Sequence, residues 1–303
     1  MTAFIKPALL KPGDMVAMVA PSGVVEAEYI EKATQIIESW GLKVRHGKNL
    51  MAEFHQFAGT DSQRLSDFQE ALDDAEIKAV ICARGGYGAI RIIDQVNWSK
   101  FKQNPKWVTG FSDITVFHVA LFNLGIQSLH CIMPINFKKY HSDSEPVVRM
   151  AKALFEGKVE YKIGAGPLCR AGTERAKLVG GNLSLLYALN GTSSDFNPDC
   201  RILFIEDVGE QYYHIDRMMQ SLKLSGKLNK IGGLIVGGLS EMSDNKRPFG
   251  KTPEEIVADA VEGFNYPVVF NFPAGHLFHN YPLIIGADTS LQVSADSVEV
   301  KME

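Results

Sequence analysis

A serine just past the end of an apolar run is the first place in this chain where chemistry can be located. Ser112 lies in Trp107–Thr115, WVTGFSDIT. The stretch reads as a short buried strand ending at Gly110, a turn through Phe111, Ser112 and Asp113, and an apolar helix over Ile114–Leu124. At such a corner the hydroxyl stands above the sheet edge, and the first N–H groups of the helix have no intrahelical acceptors. Those groups also sit at the positive end of the helix dipole, which favours a developing oxyanion. This is the layout of a nucleophile elbow, with G-x-S-D in place of G-x-S-x-G. A helix cap at Ser112 or Asp113 is the commoner use of such residues, and this stretch alone does not decide between the two.

A serine needs a base, and the base needs a partner that fixes its tautomer. Glu206 closes the apolar run Ile202–Ile205, beside Asp207 and shortly before Glu210. An acid in that position serves equally well to cap the next helix. Among the eight histidines, His276 follows a strand and Pro273-Ala274-Gly275, at the start of a loop that also holds His279. His-x-x-His raises the possibility of a metal, but no third ligand of sensible spacing accompanies it. His118 and His130 fall in apolar segments and read as satisfied core residues.

A second loop is equally suggestive. The strand Lys78–Ala83 runs into Arg84-Gly85-Gly86-Tyr87-Gly88, whose glycines permit positive φ and close approach to the backbone. This loop could donate an N–H to the oxyanion that Ser112 would generate. It matches neither phosphate-binding glycine pattern, and a plain tight turn is its alternative.

The elements that must position these residues follow from periodicity. Met15–Ala20 is a buried strand, Glu26–Trp40 a helix stopped by Gly41, and Val44 marks a second strand. Thr60 and Gln63 form a capping-box pattern ahead of a helix carrying Leu65, Phe68 and Leu72. With Lys78–Ala83, the elbow strand and Ile126–His130, strands and helices alternate, which predicts a parallel α/β sheet covered on both faces. In such sheets the working site lies at the carboxyl ends of the strands, where both loops fall. Residues 141–175 change character: a polar lead-in, one amphipathic helix near Val147–Phe155, then a glycine-rich stretch, read together as a link between domains. Beyond it come a strand at Lys177–Val179, a helix over Leu183–Leu189, strands at Ile202–Ile205, Ile231–Gly238 and Val268–Phe272, helices at Tyr212–Leu224 and Pro253–Phe264, and a terminal hairpin through Leu291, Val293, Val298 and Val300. The methionines at 218 and 219 read as core filler.

Composition narrows the classes. The chain has 303 residues, enough for two domains, with 46% hydrophobic and 22% charged residues and a net charge of -4. No basic run with interleaved aromatics suggests nucleic acid. The amino-terminal stretch has no apolar core of signal-peptide length, and no window reaches membrane-span length. The four cysteines, Cys82, Cys131, Cys169 and Cys200, are far apart and read as reduced core residues. A soluble cytoplasmic protein is expected.

Taken together these residues carry a resemblance to the LD-carboxypeptidase family of serine peptidases, the group of murein tetrapeptide carboxypeptidase and the microcin C immunity peptidases. The matching blocks run nearly end to end: KPGD at 11–14, APSG at 20–23, AGTDSQRLSDFQ at 58–69, ARGGYGAIRIID at 83–94, GFSDIT at 110–115, LVGGNLSLL at 178–186, IEDVGEQYYHIDRM at 205–218 and PAGH at 273–276. The resemblance implies Ser112 as nucleophile, His276 as general base and Glu206 as the acid orienting it, with an oxyanion hole made by the backbone N–H groups of Gly86 and Asp113. It implies a flavodoxin-like, class I amidotransferase-like α/β domain over 1–140 and a β-rich α/β domain over 176–303, with the active site between them. It further implies hydrolysis of the L,D bond to the terminal D-alanine of murein tetrapeptides in cell-wall recycling, without metal or cofactor, by a homodimer with no nucleic-acid or membrane partner. An amidase acting on aminoacyl-nucleotide conjugates is the neighbouring alternative, and a non-catalytic murein-peptide binding protein a more distant one. Arg84, suited to a substrate carboxylate and equally to a structural salt bridge, and Asn182 are candidate substrate-binding residues. One departure stands out: relatives often read His-Gly-Pro-Met where this chain has His130-Cys131-Ile132-Met133, which bears on substrate preference.

Overall fold

The computed structural model describes residues 4–303. Residues 1–3, part of the amino-terminal stretch read for a signal segment, lie outside the described residues. The first half alternates as its periodicity requires: β1 (Met15–Val19), α1 (Ala27–Ser39), β2 (Lys43–His46), α2 (Asp61–Asp73), β3 (Ile77–Cys82), α3 (Ser99–Gln103), β4 (Trp107–Gly110), α4 (Thr115–Asn123) and β5 (Ser128–His130). Gly41, at φ 84°, follows the end of α1, and the Thr60–Gln63 capping box opens α2 with both reciprocal bonds formed.

The chain continues with α5 (Glu145–Glu156), β6 (Val159–Gly164), β7 (Gly172–Asn182), α6 (Leu183–Leu189), β8 (Arg201–Val208), α7 (Tyr212–Leu224), β9 (Gly233–Ser240), α8 (Pro253–Ala260), β10 (Val268–Val269), β11 (Leu283–Ile285), β12 (Asp288–Val293) and β13 (Ser297–Met302). The stretch 141–175 thus holds the expected helix and, in addition, all of β6 and the start of β7. The strand expected to reach Phe272 stops at Val269, because Asn271 turns the backbone to φ 56°.

Two sheets result. In the first, the order β2-β1-β3-β4-β5 is parallel throughout, the flavodoxin-like order, with its switch point between β1 and β3. β11 returns from the second half and closes the edge antiparallel to β5. In the second sheet β7, β8, β9 and β10 are parallel, while β12, β13 and β6 form an antiparallel extension. The terminal hairpin expected from the alternating pattern is β12–β13.

The two sheets approach tightly where β7 meets α4. The Asn182 N–H donates to Thr115 Oγ1 at 2.9 Å. A Cβ on Gly181 would lie 2.4 Å from that same hydroxyl, so only glycine lets β7 reach the start of α4. Of the cysteines, Cys82 and Cys131 are core residues as expected; Cys169 is half-buried and Cys200 exposed, and all four are free. Those two fall outside the core because they sit in loops, beyond the apolar runs. Among the described residues no helix is long and apolar enough to cross a membrane.

Candidate active site

Three loops at the carboxyl ends of β1, β3 and β4 converge, as the switch-point rule requires. The third contains Ser112, whose φ of 62° is a left-handed conformation that a non-glycine residue rarely adopts. Such strain persists only where the surroundings over-determine it. His118 supplies part of that support from α4: its Nε2 donates to the Gly110 carbonyl at 2.8 Å and its Nδ1 accepts from Ser128 Oγ at 2.8 Å. Complete burial lowers its pKa to about 4, so the ring is neutral and holds that tautomer.

The glycine loop lies directly on the elbow. A Cβ built on Gly85 would fall 2.9 Å from Ser112 Cβ, 3.1 Å from its Oγ and 3.3 Å from the Asp113 nitrogen. Gly86 is exposed with φ 94°. Asp113 is the second residue of a helical turn over Ser112–Ile114, so its N–H has no acceptor within that turn.

From the second sheet come an acid and an imidazole. Successive residues of β8 face opposite ways. Glu206 faces His276, whose Nδ1 lies 2.7 Å from Glu206 Oε2; the His276 backbone N–H donates to the same oxygen at 3.1 Å. A Cβ on Gly275, which has φ 101°, would lie 2.5 Å from that oxygen, so the glycine before His276 makes room for the carboxylate. Burial pushes the His276 pKa down, but the charge and hydrogen bond of Glu206 outweigh it and the net shift is upward. The ring of Phe111, the residue before Ser112, packs on the His276 ring at 4.8 Å between centroids. That contact joins the elbow to the imidazole, whose remaining nitrogen is Nε2.

These features bring a strained serine, a glycine-lined backbone pocket and a carboxylate-paired histidine to one junction, and the two halves that carry them match known protein domains. The LD-carboxypeptidase N-terminal domain family matches residues 16–131 and its C-terminal domain family residues 175–291. A probable murein peptide carboxypeptidase of Bacillus subtilis is 33% identical over 301 residues, covering 98% of this chain and 94% of the relative. The chain belongs to the LD-carboxypeptidase family. The murein tetrapeptide carboxypeptidase of Pseudomonas aeruginosa is 26% identical, with 86% of this chain and 87% of that protein covered. The solved muramoyltetrapeptide carboxypeptidase of Oxalobacter formigenes superposes with a TM-score of 0.87 at 26% identity, covering 95% of this chain and 98% of that one. The microcin C7 self immunity protein, at 20% identity and a TM-score of 0.84 over 98% of both chains, shares the fold.

Other positions singled out in this LD-carboxypeptidase sequence fall as follows. Arg84 is half-buried and one of its guanidinium nitrogens donates to the Val24 carbonyl at 2.5 Å. Asn182 is buried, and its amide is engaged at both ends: Nδ2 donates to Asp207 Oδ1 at 2.9 Å and Oδ1 accepts from Ser184 Oγ at 2.7 Å. His279 is exposed and packs beside Phe278 and Tyr281. His118 is the satisfied core residue expected; His130 is buried too, but neither ring nitrogen has a partner among the described residues, and burial holds its pKa well below the usual value. The reason is its neighbours: Phe111 and Phe204 present ring faces and edges where His118 has a hydroxyl and a carbonyl.

Sequence reasoning about single residues passed over Ser22, Arg64 and Phe111. The first two lie within the APSG and AGTDSQR blocks of the family resemblance, which was the available signal. A hollow of about 270 Å³ among Arg149, Tyr161 and Lys301 is not part of this site; Arg149 pairs with Glu145 and Lys301 with Glu160.

Proposed function

We propose that this chain is a serine carboxypeptidase that hydrolyses the L,D peptide bond to the terminal D-alanine of murein tetrapeptides, with Ser112, His276 and Glu206 as its triad. The observation that carries the proposal is the strained Ser112 backbone beside an imidazole already tied to a buried carboxylate. Ser112 Oγ attacks the carbonyl carbon while His276 Nε2 takes its proton, and Glu206 holds Nδ1–H and stabilises the imidazolium. The N–H groups of Gly86 and Asp113 receive the oxyanion. His276 returns the proton to the amine of D-alanine as the C–N bond breaks, and water then hydrolyses the acyl-enzyme by the same route in reverse. Arg84 is the candidate partner for the substrate's terminal carboxylate; Asn182 acts from within the fold, since its amide is occupied. The murein peptide substrate follows the printed names of the relatives from B. subtilis and P. aeruginosa. A cytoplasmic homodimer with the nucleophile on one domain and its partners on the other completes the reading.

Mass spectrometry of products from purified murein tri-, tetra- and pentapeptides tests it. The expected result is loss of one D-alanine from the tetrapeptide and no change in the tripeptide. Turnover of an aminoacyl-nucleotide conjugate with the murein tetrapeptide left intact would transfer the site to the amidase reading.

A further inference from the structure

A carboxylate buried among loops is costly unless its hydrogen bonds repay it, and such a group is weak support for stability. Asp113 is such a group: it is completely buried and its Oδ1 has no partner among the described residues. Its carboxylate does not cap its own helical turn. Instead Oδ2 accepts from Ser22 Oγ at 2.6 Å and from the Ala89 backbone N–H at 2.7 Å, groups that lie 91 and 24 residues away in sequence. Burial raises its pKa; the bonds from Ser22 and Ala89 and the charge of Arg64 oppose that rise.

Arg64 works on the same loops. Its buried guanidinium donates to the Pro21 carbonyl at 2.5 Å and the Gly88 carbonyl at 2.9 Å, and pairs with Asp61. The glycine loop is therefore fixed at both ends. At its start the Gly23 N–H donates to the Gly85 carbonyl at 2.9 Å. At its close Gly88 is held by Arg64 and Ala89 by Asp113. Gly86 is suspended between those anchors, and the backbone N–H of Asp113 itself is the other proposed oxyanion donor.

We infer that the Asp113 side chain is a positioning group for the oxyanion hole, fastening the Gly86 loop and the Ser22 loop to the nucleophile elbow. This rests on the serine-peptidase reading. The same residue would then offer its N–H to the oxyanion and use its carboxylate to hold the opposite donor at the right separation. Oxyanion donors act within a few tenths of an ångström of one geometry, and a misplacement of about 1 Å costs on the order of 100-fold in rate. A loss of this kind falls on the transition state, leaving ground-state binding alone.

The test is steady-state release of D-alanine from murein tetrapeptide by Asp113→Ala, Asp113→Asn and Ser22→Ala. Asp113→Ala should lower kcat by about 10²-fold with KM changed less than about threefold. Asp113→Asn can place its carbonyl oxygen where Oδ2 stands, keep both accepted bonds and recover at least about tenfold of that loss. Ser22→Ala removes one of the two bonds with a single-atom change and should lower kcat about tenfold, and it carries the test alone if Asp113→Ala fails to fold. In an Ser112→Ala background, Asp113→Ala should leave the Kd for tetrapeptide unchanged. The inference is overturned if kcat in Ser22→Ala and in a folded Asp113→Ala stays within threefold of wild type, or if KM or Kd absorbs the loss. A wild-type protein that releases no D-alanine, or a Ser112→Ala variant that still does, instead sinks the underlying peptidase reading and this inference with it.

Discussion

One oxygen of Glu206, Oε2, holds both the ring Nδ1 of His276 at 2.7 Å and its backbone N–H at 3.1 Å. The carboxylate therefore fixes where the histidine sits and which tautomer it carries. It also keeps the imidazolium stable to higher pH than an ordinary histidine, despite the opposing effect of burial. In the proposed mechanism the base must be neutral, so kcat/KM should fall as pH drops through that raised pKa. Glu206→Gln removes the charge and should move the acidic limb to lower pH while cutting kcat by on the order of 10³–10⁴, as loss of the orienting carboxylate does in other serine triads. A pH–rate profile whose acidic limb stays in place would show that the limb reports another group.

Ser112 is held at φ 62°, a conformation that costs an L-residue about 1 kcal/mol or more and costs glycine nothing. Ser112→Ala and Ser112→Gly should both lose turnover. The glycine variant should nevertheless be more stable than the alanine variant by about 0.5–1 kcal/mol, after allowing for the greater freedom of unfolded glycine. Urea midpoints of the two proteins give the comparison. Equal midpoints, or a more stable alanine variant, would mean that the elbow is not strained as described.

Gly85 leaves the space over the nucleophile open, and the added methyl of Gly85→Ala would lie 3.1 Å from Ser112 Oγ and 2.9 Å from its Cβ. The change should cost about 1–3 kcal/mol in stability through overpacking and reduce kcat at least about 100-fold by displacing the elbow or the incoming carbonyl. Full activity with wild-type stability would contradict the packing of the two loops.

Much of this arrangement is legible in the sequence. The apolar runs at β1, β3 and β4, the Thr60–Gln63 box and the terminal hairpin each carry a local signal that tertiary contacts reinforce. β11 had no such signal: three apolar residues show neither period, and their partner lies more than 150 residues earlier in the chain. β6 is similar, since its pairing with β13 is long-range and a third of its residues are charged. Ser112, Glu206 and His276 stand out in the sequence because each follows an apolar run, a position that periodicity makes visible. The destination of the Asp113 carboxylate is not legible locally, because nothing near it in sequence says that it turns toward Ser22 and Ala89. The bond from the Asn182 amide to Asp207 has no local signal either, because it depends on the long-range pairing of β7 with β8.

Asp207, the neighbour of Glu206 on β8, makes a stability prediction of opposite sense to that of most carboxylates. Burial, and next the charge of Glu206, raise its pKa to about 7, outweighing the bonds donated by Val208, Asn182 and Ser184. A carboxyl with a folded pKa above its unfolded value binds its proton more tightly when folded. Its stabilising contribution is full below the unfolded pKa of about 3.9 and is lost as pH rises through about 7. Wild type should therefore lose stability relative to Asp207→Asn, which does not titrate, between pH 5 and pH 8. At about 1.4 kcal/mol per pH unit over which the two states differ, the relative loss is on the order of a few kcal/mol. Asp207→Asn also sets an amide N–H against that of Ser184, so it should be the less stable protein at pH 5, and the gap should narrow or reverse at pH 8. Urea unfolding of both proteins at the two pH values measures this directly. A gap that stays constant or widens with pH would place the Asp207 pKa at or below that of an ordinary aspartate.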